Sequence, residues 1–158
     1  MRDLTPSSAL TEVLDAKHVS YEVILHRRTQ TAAAEARAIG IDPAHVAKTL
    51  VLVTEDGFVR AVLPASERIE LGKVRDALGG DDVHFATEQV LTGAYPDFEL
   101  GAVPPVGGPG NDRVLVDRRV NDAPSVVFEA GTHEHSVRLK TADLISVTDA
   151  HVADICTD

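Results

Sequence analysis

The sequence predicts one α+β domain with a mixed, mostly antiparallel β-sheet and short helices. A length of 158 residues fits one compact domain, so we interpret residues 1–158 as a single unit. Hydrophobic residues make up 44% of the chain, which is enough for a globular core. The apolar segments 49–54 and 58–63 flank Glu55-Asp56-Gly57, whose Asp-Gly pair favours a tight hairpin turn. Because helices interrupt the hairpin-like strands irregularly, the pattern favours α+β over a regular βαβ winding.

Helices are predicted where capping residues precede helix-forming segments. Thr5-Pro6 places a capping threonine before a first-turn proline, and apolar residues then recur at helical spacing until Lys17. Thr31 precedes the alanine-rich segment 32–39, and Gly40 stands where a left-handed residue ends a helix. The predicted helical segments, in chain order, are 5–17, 32–39, a short turn after Asp42-Pro43, 70–78, 87–93, 141–145 and 149–155.

Strands are predicted where short runs of apolar and β-branched residues lie between turn residues. The segment 49–53 is apolar on both alternating faces, so we expect an interior strand that is covered from two sides. The predicted strands, in chain order, are 21–25, 49–54, 58–63, 83–86, 113–116, 125–129 and 136–139.

The charge balance argues against nonspecific capture of nucleic acid. Fifteen Lys and Arg residues oppose 25 Asp and Glu residues, which gives a formal net charge of −10. Aromatic residues make up 4% and Trp is absent, so base stacking could not hold an extended strand. No recognition-helix pattern is found, and specific DNA binding is not expected. A nucleic-acid partner would need a local basic patch, for which the candidates are Arg27-Arg28, Lys73, Arg75 and Arg118-Arg119.

The cysteine content and the N-terminal segment bear on the cellular compartment. Cys156 is the only cysteine, so no internal disulfide can form, which fits a reducing compartment. Residues 1–6 lack the apolar core of a signal peptide, and no stretch approaches the roughly 18 to 20 apolar residues of a membrane helix. We expect a cytoplasmic protein without membrane association.

Familiar catalytic and ligand-binding motifs are absent or weak. The sequence has no Gly-x-Ser-x-Gly elbow, no P-loop and no His-Glu-x-x-His. Gly107-Gly108-Pro109-Gly110 resembles a dinucleotide fingerprint only superficially, and a surface loop is the simpler interpretation. His133-x-His135 would place two imidazoles on one face of a strand, as some metal sites do, with Cys156 or a carboxylate as a third ligand. A solvated polar face is the commoner meaning, and we predict no metal and no cofactor.

Lys48 is unusual because its near neighbours in the segment 46–51 are apolar except for threonine. Its ammonium either reaches solvent along its stem or enters a cleft, where one positive charge would act strongly on a developing oxyanion. In the segment 101–105, a glycine followed by Pro104-Pro105 could present backbone N–H groups at a fixed place. An ordinary loop can have the same composition as the segment 101–105. The residues alone therefore do not decide whether Lys48 and this segment form a site or have only structural roles.

Several segments between about Tyr21 and Ile145 together resemble one known family. They are His26, Thr31 and the alanine-rich helix ended by Gly40-Ile41, the lysine-bearing segment Val46 to Val51, Val62-Leu63-Pro64, the Gly101-x-x-x-Pro105 loop, Val114 to Asp117, Ala130-Gly131 and Asp143-Leu144. On these residues the chain is similar to the YbaK/EbsC family, relatives of the editing domain inserted in bacterial prolyl-tRNA synthetases. The resemblance implies a barrel-like sheet surrounded by short helices.

The resemblance also implies an activity, that of a trans-editing aminoacyl-tRNA deacylase. Such a protein hydrolyses the ester of a mischarged tRNA, here tRNAPro carrying Cys, Ala or another small amino acid, and prolyl-tRNA synthetase is the protein partner it suggests. No cofactor is implied, because the ester is already activated and a ribose hydroxyl or water can attack it. The implied catalytic residues are Lys48 and Gly101. The implied substrate-binding residues are His26, Thr31, Ala102, Pro105, Asp117, Gly131, Thr132 and His133.

Two departures from the family pattern bear on selectivity. Many relatives carry Gly-Gly where this chain has Leu100-Gly101, and the turn after Gly131 continues with the bulky, polar residues 132–135. Whether His133 faces the pocket is open at this stage. The alternative function is a non-catalytic binding module of the same fold, which would recognise a tRNA 3′ end, a small metabolite or a partner protein.

Overall fold

The computed structural model describes residues 6–109 and 112–158. The helices are α1 (Ser8–Ala16), α2 (Ala32–Ile39), α3 (Leu71–Ala77), α4 (Glu88–Ala94), α5 (Arg118–Asn121) and α6 (Thr141–Thr148), with a 3-10 turn at Pro43–His45. The strands are β1 (Tyr21–Leu25), β2 (Ala47–Thr54), β3 (Gly57–Pro64), β4 (His84–Phe85), β5 (Arg113–Asp117), β6 (Ser125–Thr132), β7 (His135–Lys140) and β8 (His151–Ala153). Within these ranges, no helix is both long and apolar enough to cross a membrane.

The strands form two sheets. One has three strands in the order β1-β7-β6, and the other has five in the order β4-β2-β3-β5-β8. Pairing is antiparallel except between β3 and β5 and between β5 and β8, which confirms the predicted mixed, mostly antiparallel α+β fold. The barrel-like expectation is corrected, because the described strands do not close into a barrel. An isolated parallel bridge between Val46 and Val127 connects the two sheets, and residues of both sheets share one hydrophobic core.

Capping and turn residues in the local sequence explain where α2 and the β2–β3 hairpin begin and end. The Thr31 side chain accepts a hydrogen bond from Ala34 N at 3.1 Å, and Gly40 ends α2 with a φ of 86°, as predicted. The β2–β3 hairpin turns at Gly57, whose φ of 126° favours glycine. Strand β2 lies between β4 and β3, so the expectation of an interior strand is confirmed.

Elements near the C-terminus differ from the prediction. The segment 149–155 is not helical but contains β8, which pairs in parallel with β5 after Asp149 ends α6 with a φ of 51°. Helix α5 was not predicted; Asp117 caps it by accepting from Arg119 N. His133 and His135 do not share a strand face, because His133 lies in the turn between β6 and β7. Helix α1 begins at Ser8 with Ser7 at the N-cap position and no side-chain capping hydrogen bond; the predicted cap Thr5, like Gly110, lies outside the described residues.

Apolar packing places α2 at the junction of the two sheets. Ala36 of α2 is fully buried and belongs to one core cluster with Val46 and Val127, the two residues of the bridge. Burial of apolar surface contributes about 25 cal/mol per Å², so this contact holds α2 across the junction. Glu35, the buried polar residue of α2, therefore lies at this junction.

Gly131→Ala is expected to destabilise the fold by about 1–3 kcal/mol. Gly131 has a φ of +88°, and an added Cβ would lie 2.6 Å from Ser7 Cβ and 2.8 Å from Phe98 Cδ1. Gly40→Ala is the matched control, since Gly40 has a φ of +86° but nothing within 4 Å of an added Cβ. Urea unfolding should show the larger loss for Gly131→Ala. Equal losses would mean that backbone strain alone, and not the overlap, determines the cost.

Candidate active site

A cavity of about 410 Å³ opens at the junction of the two sheets. Its wall includes Lys48 from β2, Gly101 from the loop between α4 and β5, and Thr31 at the start of α2. The remaining lining residues are Ala32, Ala33, Glu35, Ala47, Thr49, Leu50, Ala65, Val103, Phe128 and Glu129. The structure therefore brings both predicted catalytic residues, Lys48 and Gly101, to one cavity. Had they lain on separate faces of the molecule, they could not act on one substrate.

Lys48 is a half-buried cation without a carboxylate partner. No described Asp or Glu lies within ion-pair distance of its ammonium. Burial lowers the pKa of Lys48 from its ordinary value of 10.5, and the nearby positive charge of Arg68 lowers it further while Glu67 opposes this. An unneutralised cation in a partly dry cavity interacts strongly with a substrate oxygen.

The loop at Gly101 presents unused backbone donors. Gly101 has a φ of +84°, a conformation that favours glycine. Among the described residues no group accepts a hydrogen bond from the N–H of Gly101 or Val103, whereas Ala102 N–H donates to Glu99 O at 3.0 Å. Ala102, which the resemblance implies as a substrate-binding residue, therefore has no free amide to offer a substrate. Val103, which the sequence analysis did not select, lines the cavity beside Gly101.

His133 fixes the peptide that precedes the Gly101 amide. Its Nε2 lies 2.7 Å from Leu100 O and donates to it, because a carbonyl oxygen only accepts. The described chain has no cis peptide bond, so the Leu100–Gly101 peptide directs its N–H opposite to its carbonyl and away from His133. His133 is nearly fully buried, and it acts on the cavity through this loop rather than as part of the wall.

Two buried carboxyls that sequence reasoning missed line the same cavity. Glu35 accepts a short hydrogen bond from the Ser136 hydroxyl through Oε2, and its Oε1 has no partner among the described residues. Glu129 Oε2 lies 2.9 Å from His133 Nδ1. Burial raises the pKa of Glu35 to about 7 and that of Glu129 to about 9, and the charges of Glu35 and Glu99 add to the shift at Glu129.

These pKa values determine how the protons are distributed. At pH 7 the Glu129 carboxyl carries its proton, and its Oε2 lies 2.9 Å from Nδ1 of His133 without the alignment of a hydrogen bond. Glu35 is poised between its two forms at the same pH. The signal for Glu35 was present in the sequence: with Ala32, Ala36 and Ile39 it lies on the apolar face of α2 at helical spacing.

Two predicted substrate-binding residues lie close to the wall without forming it. His26 Nε2 is 3.0 Å from the Ser136 hydroxyl, so His26 connects through Ser136 to Glu35. Thr132 Oγ1 is 2.6 Å from His135 Nδ1, which stabilises the turn that carries His133. Both residues position cavity groups through their neighbours.

Three other predicted site residues have contacts away from the cavity wall. Gly131 O accepts from Glu99 N at 2.8 Å, and Pro105 is buried in the loop after Gly101. Asp117 is fully buried and accepts from the backbone N–H of Arg119 and of Ile155, which connects β5 to the segment after β8. No cluster of three His, Cys, Asp or Glu residues suited to a metal is found within 6–109 and 112–158.

Glu129→Gln is expected to remove a pH-dependent loss of stability. An acid whose folded pKa is raised keeps its proton after the unfolded chain has lost it, so stability falls as pH rises from about 4.5 toward 9. Between pH 5 and 8 we expect the wild type to lose up to about 1 kcal/mol per pH unit relative to Glu129→Gln. Urea unfolding at several pH values measures this difference. Parallel pH curves for the two proteins would contradict the raised pKa.

The fold and the cavity together indicate which class of protein this chain belongs to. Two sheets with α2 at their junction form an α+β domain around a mostly apolar cavity that contains Lys48, Glu35 and Glu129. The family model of the aminoacyl-tRNA editing domain matches residues 26–147, most of the chain, and the chain belongs to that family. The resemblance to the YbaK/EbsC family is confirmed at this level.

Individual relatives agree with the family assignment. Proline–tRNA ligase of Streptococcus pneumoniae serotype 4 (strain ATCC BAA-334 / TIGR4) is 25% identical over 117 residues, covering 70% of this chain and 19% of the ligase. The chain thus spans about a fifth of the length of the curated relatives it matches. The crystal structure of a proposed trans-editing enzyme for prolyl-tRNA synthetase has a TM-score of 0.87 at 28% identity, covering 99% of this chain and 100% of that one. The hypothetical protein APE2540 shares the fold, with a TM-score of 0.85 at 24% identity over 93% of this chain and 98% of its own.

Proposed function

We propose that this chain is a trans-editing deacylase that hydrolyses the ester of mischarged tRNA. The proposed substrate is tRNAPro carrying Cys, Ala or another small amino acid. The observation that carries the proposal is the shared cavity, in which an unpaired lysine and an unused glycine amide line one wall. The editing-domain family and the structural similarity to a proposed trans-editing enzyme support the same activity.

The proposed mechanism needs a charge, a donor and a proton acceptor. Water attacks the ester carbonyl, and its proton passes to the free Oε1 of Glu35 when that carboxyl is ionised. The Gly101 N–H stabilises the tetrahedral oxyanion, and Lys48 holds the carbonyl oxygen or the terminal phosphate by its charge. The ester C–O bond then breaks, and the ribose oxygen takes up the proton that Glu35 holds, which releases the free amino acid.

Selectivity for a small amino acid follows from the apolar part of the wall. Leu50, Val103 and Phe128 line the cavity together with the small side chains Ala32, Ala33 and Ala47. A methylene group in such a pocket changes the transition-state free energy by only about 1–3 kcal/mol, so exclusion by size is the effective filter. We propose that side chains larger than the cavity are rejected by overlap with these residues.

Engagement of tRNA is proposed to be weak and transient. The net charge is −10, and several of the candidate basic residues are already paired: Arg28 with Glu99, Lys73 with Asp154, and Arg119 with Asp117 and Asp154. Paired cations contribute less to counterion release on nucleic-acid binding. A synthetase that delivers the tRNA would offset this weakness, which supports prolyl-tRNA synthetase as the proposed partner.

The deciding experiment measures amino-acid release from mischarged tRNA. Purified protein is incubated with tRNAPro charged with Ala, Cys, Ser or Pro, and with tRNACys charged with the same amino acids. We expect release of small non-cognate amino acids from tRNAPro and little release of proline. Tight binding of these tRNAs without release would instead show a non-catalytic binding module.

A further inference from the structure

A second, smaller groove continues from the candidate active site. The groove has a volume of about 180 Å³ and shares four wall residues with the larger cavity, Thr49, Leu50, Gly101 and Val103. Its other wall residues include Phe85 and Leu91, which are apolar. The two spaces therefore meet at the Gly101 loop, where the proposed mechanism places the ester carbonyl.

Phe85 is an exception among the aromatic residues of this chain. The chain has four Phe and two Tyr residues, all of them within the described ranges, and Phe85 is the most exposed of them, with 49% of its surface accessible. It lies in β4, the edge strand that pairs with β2 through Leu52, and it lines the groove. An exposed aromatic ring on a groove wall offers a flat apolar face to a ligand.

We propose that this groove binds the terminal adenine of the aminoacyl-tRNA, with Phe85 as its stacking surface; the inference rests on the proposed function. The amino acid and the adenosine are attached on opposite sides of the ester carbonyl. When the carbonyl is bound at Gly101, one of these groups can therefore occupy the larger cavity and the other the groove. The larger cavity contains the polar groups Lys48, Glu35 and Glu129, which suit the ester and its α-ammonium. The apolar groove with its exposed ring suits a base.

One stacked base is consistent with the low aromatic content. A single ring cannot hold an extended strand, but it can hold one terminal base whose ribose is fixed by the reacting ester. Stacking on an aromatic side chain contributes enough to change affinity by about tenfold or more. The groove would thus position the substrate on a chain whose net charge of −10 disfavours nonspecific capture of nucleic acid.

The test measures the affinity gained from the base. Two stable probes are compared by calorimetry: 3′-alanylamino-3′-deoxyadenosine and the same alanyl amide on a ribose without a base. For the wild type we expect the adenosine probe to bind at least about tenfold more tightly. Phe85→Ala should reduce this ratio to about twofold or less, and Phe85→Tyr should retain it. Val90→Ala, at an exposed residue that does not line the groove, is the matched control.

The binding experiment tests the adenine site without requiring deacylation, so the two proposals can fail independently. Equal weakening of both probes by Phe85→Ala, an unchanged ratio, or no base-dependent gain in the wild type would overturn the adenine site. A change from dimer to monomer in Phe85→Ala with an unchanged ratio would assign the ring to a contact between two copies. If the base-dependent gain is found but mischarged tRNA is not hydrolysed, the adenine site stands and the deacylase proposal fails.

Discussion

Replacing Lys48 with methionine is expected to lower kcat/KM for deacylation of mischarged tRNAPro by about 100- to 1,000-fold. Methionine keeps much of the apolar stem but removes the one charge that the β2 wall presents to the cavity. Loss of a single preorganised electrostatic contact to a developing oxyanion typically has an effect of this size. The measurement is single-turnover release of alanine from Ala-tRNAPro at saturating enzyme.

The fold should tolerate this change. Lys48 has no described ion-pair partner, so Lys48→Met leaves no buried carboxylate without a cation, and the loss of a partly desolvated charge favours the folded state. Unfolding by urea should give a midpoint equal to or above that of the wild type. Lys140→Met, at an exposed residue, is the control for loss of one positive charge.

Two further results separate a catalytic cation from a general electrostatic effect. Lys48→Arg keeps the charge in a different geometry and should recover part of the lost rate. Raising the salt concentration should affect wild type and Lys140→Met alike, because long-range attraction of tRNA is common to both. Turnover of Lys48→Met within about threefold of the wild type would remove Lys48 from the mechanism.

The parts of the fold that the sequence predicted well are those with local causes. Thr31 and Gly40 fix the ends of α2 by hydrogen bonds and φ values that depend on a few neighbouring residues. The Asp56-Gly57 turn fixes the β2–β3 register in the same way. Lys48 could be selected because a lysine in an apolar strand segment is unusual in any fold.

The parts that could not be predicted depend on contacts between distant segments. Strand β8 forms because β5 offers it a free edge, and nothing within 149–155 indicates that partner. The pKa of Glu129 is raised mainly by burial, and the charges of Glu35 and Glu99, which distant segments bring close, raise it further. Burial of an acid on an apolar helix face was visible in the sequence, but its neighbours were not.

The predicted roles of Gly101 and His133 show the same division. The positive φ of Gly101 depends on the glycine itself and on its near neighbours, so it could be expected from the local sequence, and the structure shows it. The contact that orients the loop, from His133 Nε2 to Leu100 O, joins residues 33 positions apart. The loop is therefore positioned by contacts with residues that are distant in the sequence. The prolines that follow Gly101 are positioned in the same way.

Arg60→Met is expected to produce the largest loss of stability in the molecule, about 3–5 kcal/mol. Arg60 is 1% exposed and donates from Nε to Asp112 Oδ2 at 2.5 Å, from Nη1 to Pro104 O at 2.7 Å, and from Nη2 to Gly107 O. One side chain of β3 thus holds both ends of the segment after Gly101. Its removal leaves the buried Asp112 carboxylate without a cation and two carbonyls without donors.

The expected loss is measured by urea unfolding, with Arg113→Met as the matched control because that neighbouring arginine is exposed. Asp112 also accepts from the Tyr95 hydroxyl at 2.6 Å, so Arg60→Met and Asp112→Asn should be coupled. In the double variant no buried charge remains unpaired, and the combined loss should be smaller than the sum of the single losses. Additive losses, or a loss below about 1 kcal/mol for Arg60→Met, would show that the loop is held by its apolar contacts and not by this arginine.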